Sequence, residues 1–208
     1  MKPNLIRPML LTPVTEARLP SDSNFILEPK LDGWRAIVYK QGDEVRIFSR
    51  EQSEMTGYYP QVVSESVTCF RGLSLVLDGE LVTFDPPDPS NPGQLPRQNR
   101  NLLRRRNQPV YFYPFDILRI GGTSAMRSSL DSRRELLGEI FQLPIDAPRN
   151  LLHIQQVEAF DATKKEELLE VAKKGGWEGL VAKRRASPYQ PNYRGRDWLK
   201  HRFKLPRS

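Results

Sequence analysis

The chain has 208 residues, enough for one large domain or two small ones with a sizeable core. Lysine and arginine outnumber aspartate and glutamate by 32 to 25, and the resulting net charge of +7 favours a polyanionic partner. The single Cys69 excludes an intramolecular disulfide and a cysteine-cluster zinc site, His153 and His201 lack metal-ligand spacing, and no apolar run reaches membrane-spanning length, so the chain reads as soluble and cytoplasmic.

Residues 1–24 carry four prolines and little periodicity, and are expected to lie as an irregular N-terminal arm over a domain formed by residues 25–208. Phe25–Lys30, Trp34–Lys40 and Val45–Arg50 read as strands, the last two joined by a turn at Gln41-Gly42-Asp43-Glu44. Tyr59–Phe70 reads as a short helix with Pro60 in its first turn, and Leu73–Phe84 as a buried strand. Asp85–Gly93 then holds four prolines in nine positions and predicts a mobile loop. Arg97, Arg100, Arg104, Arg105 and Arg106 follow within ten positions. A charge run is usually a solvated helix face, but few acids stand near enough to pair with these arginines, and a phosphate backbone would neutralise them.

Val110–Ile120 reads as a strand ended by Gly121-Gly122. Ser129–Phe141 is the clearest amphipathic helix, with Asp131 as its cap and Leu136, Leu137, Ile140 and Phe141 on one face. Leu151–Gln155 is expected as a strand, Thr163–Lys174 as a helix stopped by Gly175-Gly176, and Leu180–Lys183 and Trp198–Phe203 as the closing strands. Helices interspersed with antiparallel hairpins define an α+β domain.

One stretch stands apart, Glu28-Pro29-Lys30-Leu31-Asp32-Gly33-Trp34-Arg35. Its plain reading is a surface turn between two strands, with Lys30 and Asp32 solvated and Gly33 supplying a positive φ. Its sharper reading is a covalent catalyst. A lysine attacks only as the neutral amine, a form held by about one ordinary lysine in a few thousand at pH 7. Nearby cations and partial burial raise that fraction, and an acid alongside can hold a metal. The pattern K-x-D-G-x-R should arise by chance in roughly one chain of this size in a thousand.

The octet resembles the nucleotidyl-lysine motif of the covalent nucleotidyltransferases: ATP-dependent DNA ligases, RNA ligases and mRNA capping enzymes. Further stretches match the DNA-ligase pattern in order. Phe48-Ser49-Arg50 is similar to the motif whose arginine meets phosphate on nucleic acid or nucleotide. Leu77-Asp78-Gly79-Glu80-Leu81-Val82 resembles the motif whose glutamate, here Glu80, holds the ribose. Tyr113-Pro114-Phe115-Asp116-Ile117-Leu118 resembles the strand whose aromatic residue, here Phe115, stacks on the purine. Trp177-Glu178-Gly179-Leu180-Val181-Ala182-Lys183-Arg184 resembles the motif in which the glutamate meets the metal and the lysine reaches the phosphates. Strand alternation places Leu180 and Ala182 on one face and Val181 and Lys183 on the other. Trp198-Leu199-Lys200-His201-Arg202 resembles W-L-K-x-K, with Arg202 where a second lysine usually stands. Ala186-Ser187-Pro188-Tyr189-Gln190-Pro191 is similar to the ligase domain of bacterial end-joining ligases.

The resemblance implies a nucleotidyltransferase, ATP-grasp-like domain whose Lys30 attacks the α-phosphate of ATP and keeps AMP as a phosphoramidate. Glu28 would meet the adenine edge, Arg35 and Glu80 the sugar, and Arg50, Lys183 and Lys200 the phosphates. Asp32 and Glu178 would hold Mg²⁺. AMP would then pass to the 5′ phosphate of nicked double-stranded DNA, with Arg50 and the five arginines from Arg97 to Arg106 on its backbone. A monomer at the bacterial nucleoid, working with end-joining or repair proteins, is expected. Complete ligases continue into an OB-fold domain, and the sequence ends at Ser208 without one, so slow or undetectable self-adenylation and weak nick sealing are expected of it, with nucleotide and DNA binding kept in part. An RNA ligase, a GTP-using capping enzyme and a non-catalytic DNA-binding module remain alternatives. An NAD-dependent ligase is disfavoured because its zinc module needs cysteines beyond Cys69.

Overall fold

The computed structural model describes residues 4–86, 97–105, 108–144 and 152–203. Arg106, Leu151 and the greater part of the proline-rich stretch expected as a loop lie outside the described residues. Two five-stranded sheets carry the fold. The first is built from β1 (Leu10–Pro13), β2 (Phe25–Pro29), β8 (Phe160–Asp161), β9 (Gly179–Arg184) and β10 (Arg194–Arg202), ordered β1-β10-β9-β2-β8. The second is built from β3 (Trp34–Gln41), β4 (Glu44–Ser49), β5 (Leu75–Val82), β6 (Tyr111–Ile120) and β7 (Thr123–Ser124), ordered β4-β3-β5-β6-β7. Pairing is antiparallel throughout except for β1, which lies parallel to β10.

Alternation along the strands sorts side chains into three cores. Ile26, Ile37, Tyr39, Val76, Phe115, Leu118 and Trp198 fill the space between the sheets. On the outer face of the second sheet, Val38, Leu77, Leu81, Phe112 and Ile117 pack under α1 (Pro60–Cys69) and α2 (Leu130–Gln142), through Val62, Cys69, Leu137 and Ile140. On the outer face of the first, Phe25, Leu27, Leu180, Ala182 and Leu199 pack under Leu168, Leu169 and Ala172 of α3 (Lys165–Lys174). Fully burying a side chain of this size stabilises the fold by roughly 1.5–3 kcal/mol. The structure is therefore layered as helices, sheet, interior, sheet, helix, and the interior layer opens into the cleft described below.

Several local expectations are corrected. The arm is not irregular throughout: Leu10–Pro13 joins the first sheet as an edge strand, with Leu10 N–H donating to Tyr193 O at 2.9 Å. Ser129, not Asp131, caps α2, its Oγ accepting from Ser132 N–H at 3.2 Å, while Asp131 sits in the first turn where it favours the helix dipole. Residues 152–155 make only a bridge, Ile154 beside Phe112, rather than a strand. The His153 N–H donates to Glu65 Oε2 at 2.6 Å, so a side chain takes a place that a ladder partner would need. Gly33 does not adopt a positive φ. A Cβ there would collide with the Leu81 carbonyl and the Glu80 side chain, so close approach of β5 is what requires glycine. At Gly79 a Cβ would likewise collide with the Phe112 ring and the Tyr113 carbonyl.

Candidate active site

The face of the first sheet that looks inward carries Glu28 on β2, Lys183 on β9, and Trp198, Lys200 and Arg202 on β10, because period-2 alternation and the antiparallel register set them side by side. Lys30 follows the last residue of β2, fixed there by its N–H donating to Gly179 O at 2.9 Å. The second sheet supplies Arg35 opposite Glu80, with Phe115 on the neighbouring strand. All eight residues expected at the nucleotide, Glu28, Lys30, Arg35, Arg50, Glu80, Phe115, Lys183 and Lys200, line one cleft. Its far wall is the segment Pro8–Leu11 with Arg194.

A second, wider groove shares Lys30, Arg35, Arg50, Glu80 and Lys200 with the first and continues past Asp32, Glu178, Arg100, Arg104 and Arg202. Lys30 thus stands where the two meet. Arg100 and Arg104 occupy an exposed 3₁₀ turn anchored by the buried Leu102 and Leu103, and Arg104 lies 5.4 Å from the Trp34 ring centroid. Arg97 and Arg105 are exposed but line neither groove.

Three charge clusters shape the cleft. Lys30 Nζ meets Glu178 Oε2, and Arg202 grips the other oxygen, with Nε 2.6 Å from Oε1 and Nη2 on the same atom. Glu28 is held on both sides: Arg134 Nη1 donates to Oε1 at 2.6 Å, and Lys183 Nζ lies 2.7 Å from Oε2, at a poor angle for a hydrogen bond. Lys183 is buried and also sits 4.0 Å from the Phe115 ring centroid. Burial pulls its ammonium down, against the opposing pull of Glu28 and Asp116. Arg35 makes a fork onto Asp78, with Nε and Nη2 each 2.6 Å from a carboxylate oxygen, and stacks 4.4 Å from the Phe115 centroid. Tyr189 donates its hydroxyl to the same Asp78 at 2.5 Å and accepts from Met9 N–H at 3.0 Å.

Burial pushes the Asp32 carboxyl up, and the charge of Glu178 pushes it further, so these two carboxylates crowd one another. Among the described residues there is no group of three or more His, Cys, Asp or Glu side chains placed to hold a metal. Two carboxylates suit Mg²⁺, which keeps several waters and shares its sphere with substrate phosphates.

Arg134, Asp78 and the Pro8–Leu11 wall escaped sequence reasoning. The trace of the first was an arginine pair, Arg133-Arg134, inside an amphipathic helix, where both turn inward. Arg133 is fully buried on Asp116, with Nε 2.7 Å from Oδ1 and Nη2 2.9 Å from Oδ2.

The sequence profile described as ATP dependent DNA ligase domain matches residues 8–202. The chain belongs to this family. The ligase domain is 37% identical over 183 residues to DNA ligase 1 of Korarchaeum cryptofilum, covering 84% of this chain and 32% of that protein. It is 33% identical over 197 residues to the multifunctional non-homologous end joining DNA repair protein LigD of Mycobacterium tuberculosis, covering 94% of this chain and 24% of that one. Its fold is similar to that of a solved mycobacterial DNA ligase D complexed with ATP and MES, with a TM-score of 0.77, 29% identity and coverage of 95% of this chain and 60% of that one. The ligase domain therefore spans about a third or less of the length of these two curated relatives. No helix among the described residues is long and apolar enough to cross a membrane.

The expectation that Glu80 receives the ribose can be tested through its pH dependence. Burial pushes its carboxyl up to about 7, against the pull of Arg35 and Lys30 and with the push of Asp78 and Glu178. The folded chain then holds this proton more tightly than the unfolded one, so the Glu80 contribution to stability falls as pH rises from the ordinary carboxylate range through about 7. If Glu80 receives the ribose, nucleotide binding would run the other way, because only the ionised group offers both oxygens to the ribose hydroxyls. Adenosine nucleotide affinity is expected to rise from about pH 6 to about pH 8, and Glu80→Gln to flatten the profile. Calorimetric titrations across that range check it, and an equally steep profile in the variant rules the assignment out.

Proposed function

We propose that this chain is the nucleotidyltransferase module of an ATP-dependent DNA ligase, with an ATP-grasp-like fold, in which Lys30 takes up AMP and passes it to the 5′ phosphate of a nick. The observation that carries the reading is the position of Lys30 at the junction of the cleft lined by Glu28, Glu80, Phe115 and Lys183 and an arginine-lined groove. Adenine enters between Pro8–Leu11 and Phe115, meeting the backbone at Glu28, because the Glu28 carboxylate is already engaged by Arg134 and Lys183. Glu80 receives the ribose, and Arg35, braced by Asp78, keeps the Phe115 ring in place. The triphosphate then meets Arg50, Lys183 and Lys200, where Lys183 exchanges its contact with the aromatic ring for phosphate oxygens.

The neutral Lys30 amine attacks the α-phosphorus, the bond to the β-phosphate oxygen breaks with its electron pair, and pyrophosphate leaves. The departing pyrophosphate takes the extra proton from the Lys30 nitrogen, which then carries AMP through a P–N bond. Lys200 and Lys183 offset the charge that gathers on the phosphate oxygens. Mg²⁺ held at Asp32 and Glu178 would add Lewis-acid stabilisation of the same oxygens. The 5′ phosphate of the nick then takes AMP from Lys30, and the 3′ hydroxyl displaces it. The setting is the cytoplasm, at the bacterial nucleoid, with the protein acting as a monomer alongside end-joining or repair factors.

Incubation with ATP and Mg²⁺, followed by denaturation and intact-mass measurement, is expected to show one AMP adduct. An adduct formed from GTP instead would assign the chain to capping chemistry, and none from either nucleotide even after prolonged incubation at high nucleotide concentration would favour a binding module. For the groove, Arg100→Ala with Arg104→Ala is expected to weaken binding to nicked duplex and to lower the salt slope of log Kd by about 2, without changing the adduct yield. Fluorescence anisotropy over a salt series tests this, and an unchanged slope excludes these two arginines from the DNA contact.

A further inference from the structure

The loop between β2 and β3 carries Lys30, and its backbone is pinned along its length. At one end the Lys30 N–H donates to Gly179 O at 2.9 Å, and at the other Gly33 lies against the Leu81 carbonyl of β5. Between them the Asp32 N–H donates to Oε1 of Gln98 at 2.7 Å, across 66 residues of sequence. A half-buried backbone N–H needs an acceptor, and here a side chain supplies one outside both sheet ladders. Gln98 is itself held. Its segment is strapped to the end of β5 by the Phe84–Gln98 bridge, by Asp85 N–H on Arg97 O at 2.7 Å and by Asn99 N–H on Thr83 O at 2.9 Å. The Asn99 side chain donates to Asp85 Oδ1 at 2.7 Å and accepts from Asn101 N–H at 3.1 Å, which fixes the start of the 3₁₀ turn bearing Arg100 and Arg104. The Arg104 guanidinium then reaches back over the Trp34 ring. One short segment therefore grips the Lys30 loop at Asp32 and again at Trp34, and presents the arginines of the wider groove.

We propose that Gln98 is a positioning residue whose amide oxygen fixes the backbone of residues 30–33, and so sets where the Lys30 amine stands relative to the α-phosphate. The inference rests on the adenylation reading for its consequence. Gln98 lines neither the cleft nor the groove, so it acts through the loop alone. Attack needs the nitrogen about 3–3.5 Å from phosphorus and in line with the leaving oxygen. A loop displaced by about 1 Å still binds the nucleotide and loses most of the rate.

Gln98→Met keeps the length of the side chain and replaces the amide oxygen by a poor acceptor, whereas Gln98→Glu keeps an oxygen at the same reach. Amide hydrogen exchange of the nucleotide-free chain, followed by NMR, reads the contact itself. The Asp32 amide is expected to exchange roughly fivefold or more faster in Gln98→Met and near the parent rate in Gln98→Glu, with the melting curves of all three alike. The time course of AMP adduct formation over a series of ATP concentrations reads the consequence. Its maximal rate is expected to fall about tenfold in Gln98→Met, with the half-saturating ATP concentration within about twofold of the parent, and to recover to within about threefold of the parent in Gln98→Glu. Unchanged exchange at Asp32 overturns the proposal, as does a maximal rate that stays at the parent value once the contact is gone, or a loss that falls on the half-saturating concentration instead. A parent chain that forms no adduct would count against the proposed activity, and the exchange measurement would still decide whether Gln98 holds the loop.

Discussion

Lys30→Ala is expected to lose the AMP adduct completely while keeping the fold. The side chain has two partners, Glu178 and, at 3.5 Å, the Leu31 carbonyl, and Arg202 remains on Glu178 after truncation. A half-buried position with so few contacts costs about 1 kcal/mol or less in stability, so circular dichroism and the melting curve should change little. The chemistry has no substitute. Lys183 is buried between Phe115 and Trp198, 4.0 and 4.4 Å from their centroids, and Lys200 is on β10, beyond the strand pair that presents Lys30. Intact mass after ATP and Mg²⁺ decides the matter, and an adduct that persists in the variant removes Lys30 from its role and with it the mechanism above.

Asp78→Ala is expected to be strongly destabilising, by roughly 3–5 kcal/mol. The carboxylate is wholly buried and accepts two hydrogen bonds from Arg35 and one from Tyr189. Truncation leaves a guanidinium without its counter-ion and a buried hydroxyl without its acceptor, each a named cause of large losses. The damage should reach the cleft as well, since Arg35 supports Phe115 and Tyr189 holds Met9. Denaturant unfolding measures the first effect and ATP titration the second. A loss under about 1 kcal/mol would show that water replaces Asp78 at no great cost.

Much of the site was legible because its residues lie in short runs on strands, where a period of two and an antiparallel register bring distant side chains to one face. Lys183 and Glu28 illustrate this: each could be placed on an inward face from local alternation, and the register then sets Ile26 opposite Lys183 and Glu28 opposite Val181. What alternation could not convey is pairing between layers. Arg134 reaches Glu28 across 106 residues of sequence and Tyr189 reaches Asp78 across 111, and nothing local to either residue names its partner. The same limit explains Leu10–Pro13, a proline-flanked segment with weak periodicity whose strand character comes wholly from the β10 edge beside it. The cap of α2 was a nearer miss: Ser129 and Asp131 are both good capping types two residues apart, and the hydrogen bond to Ser132 N–H settles it.

The edge strand near the amino terminus has a practical side. Because residues 8–11 form a wall of the cleft proposed for the nucleotide and Met9 is tied to Tyr189, cutting into the segment ahead of β2 changes that cleft itself. On the proposed function, a preparation lacking residues 8–11 would look like a poor nucleotide binder, with a missing piece of wall as the cause.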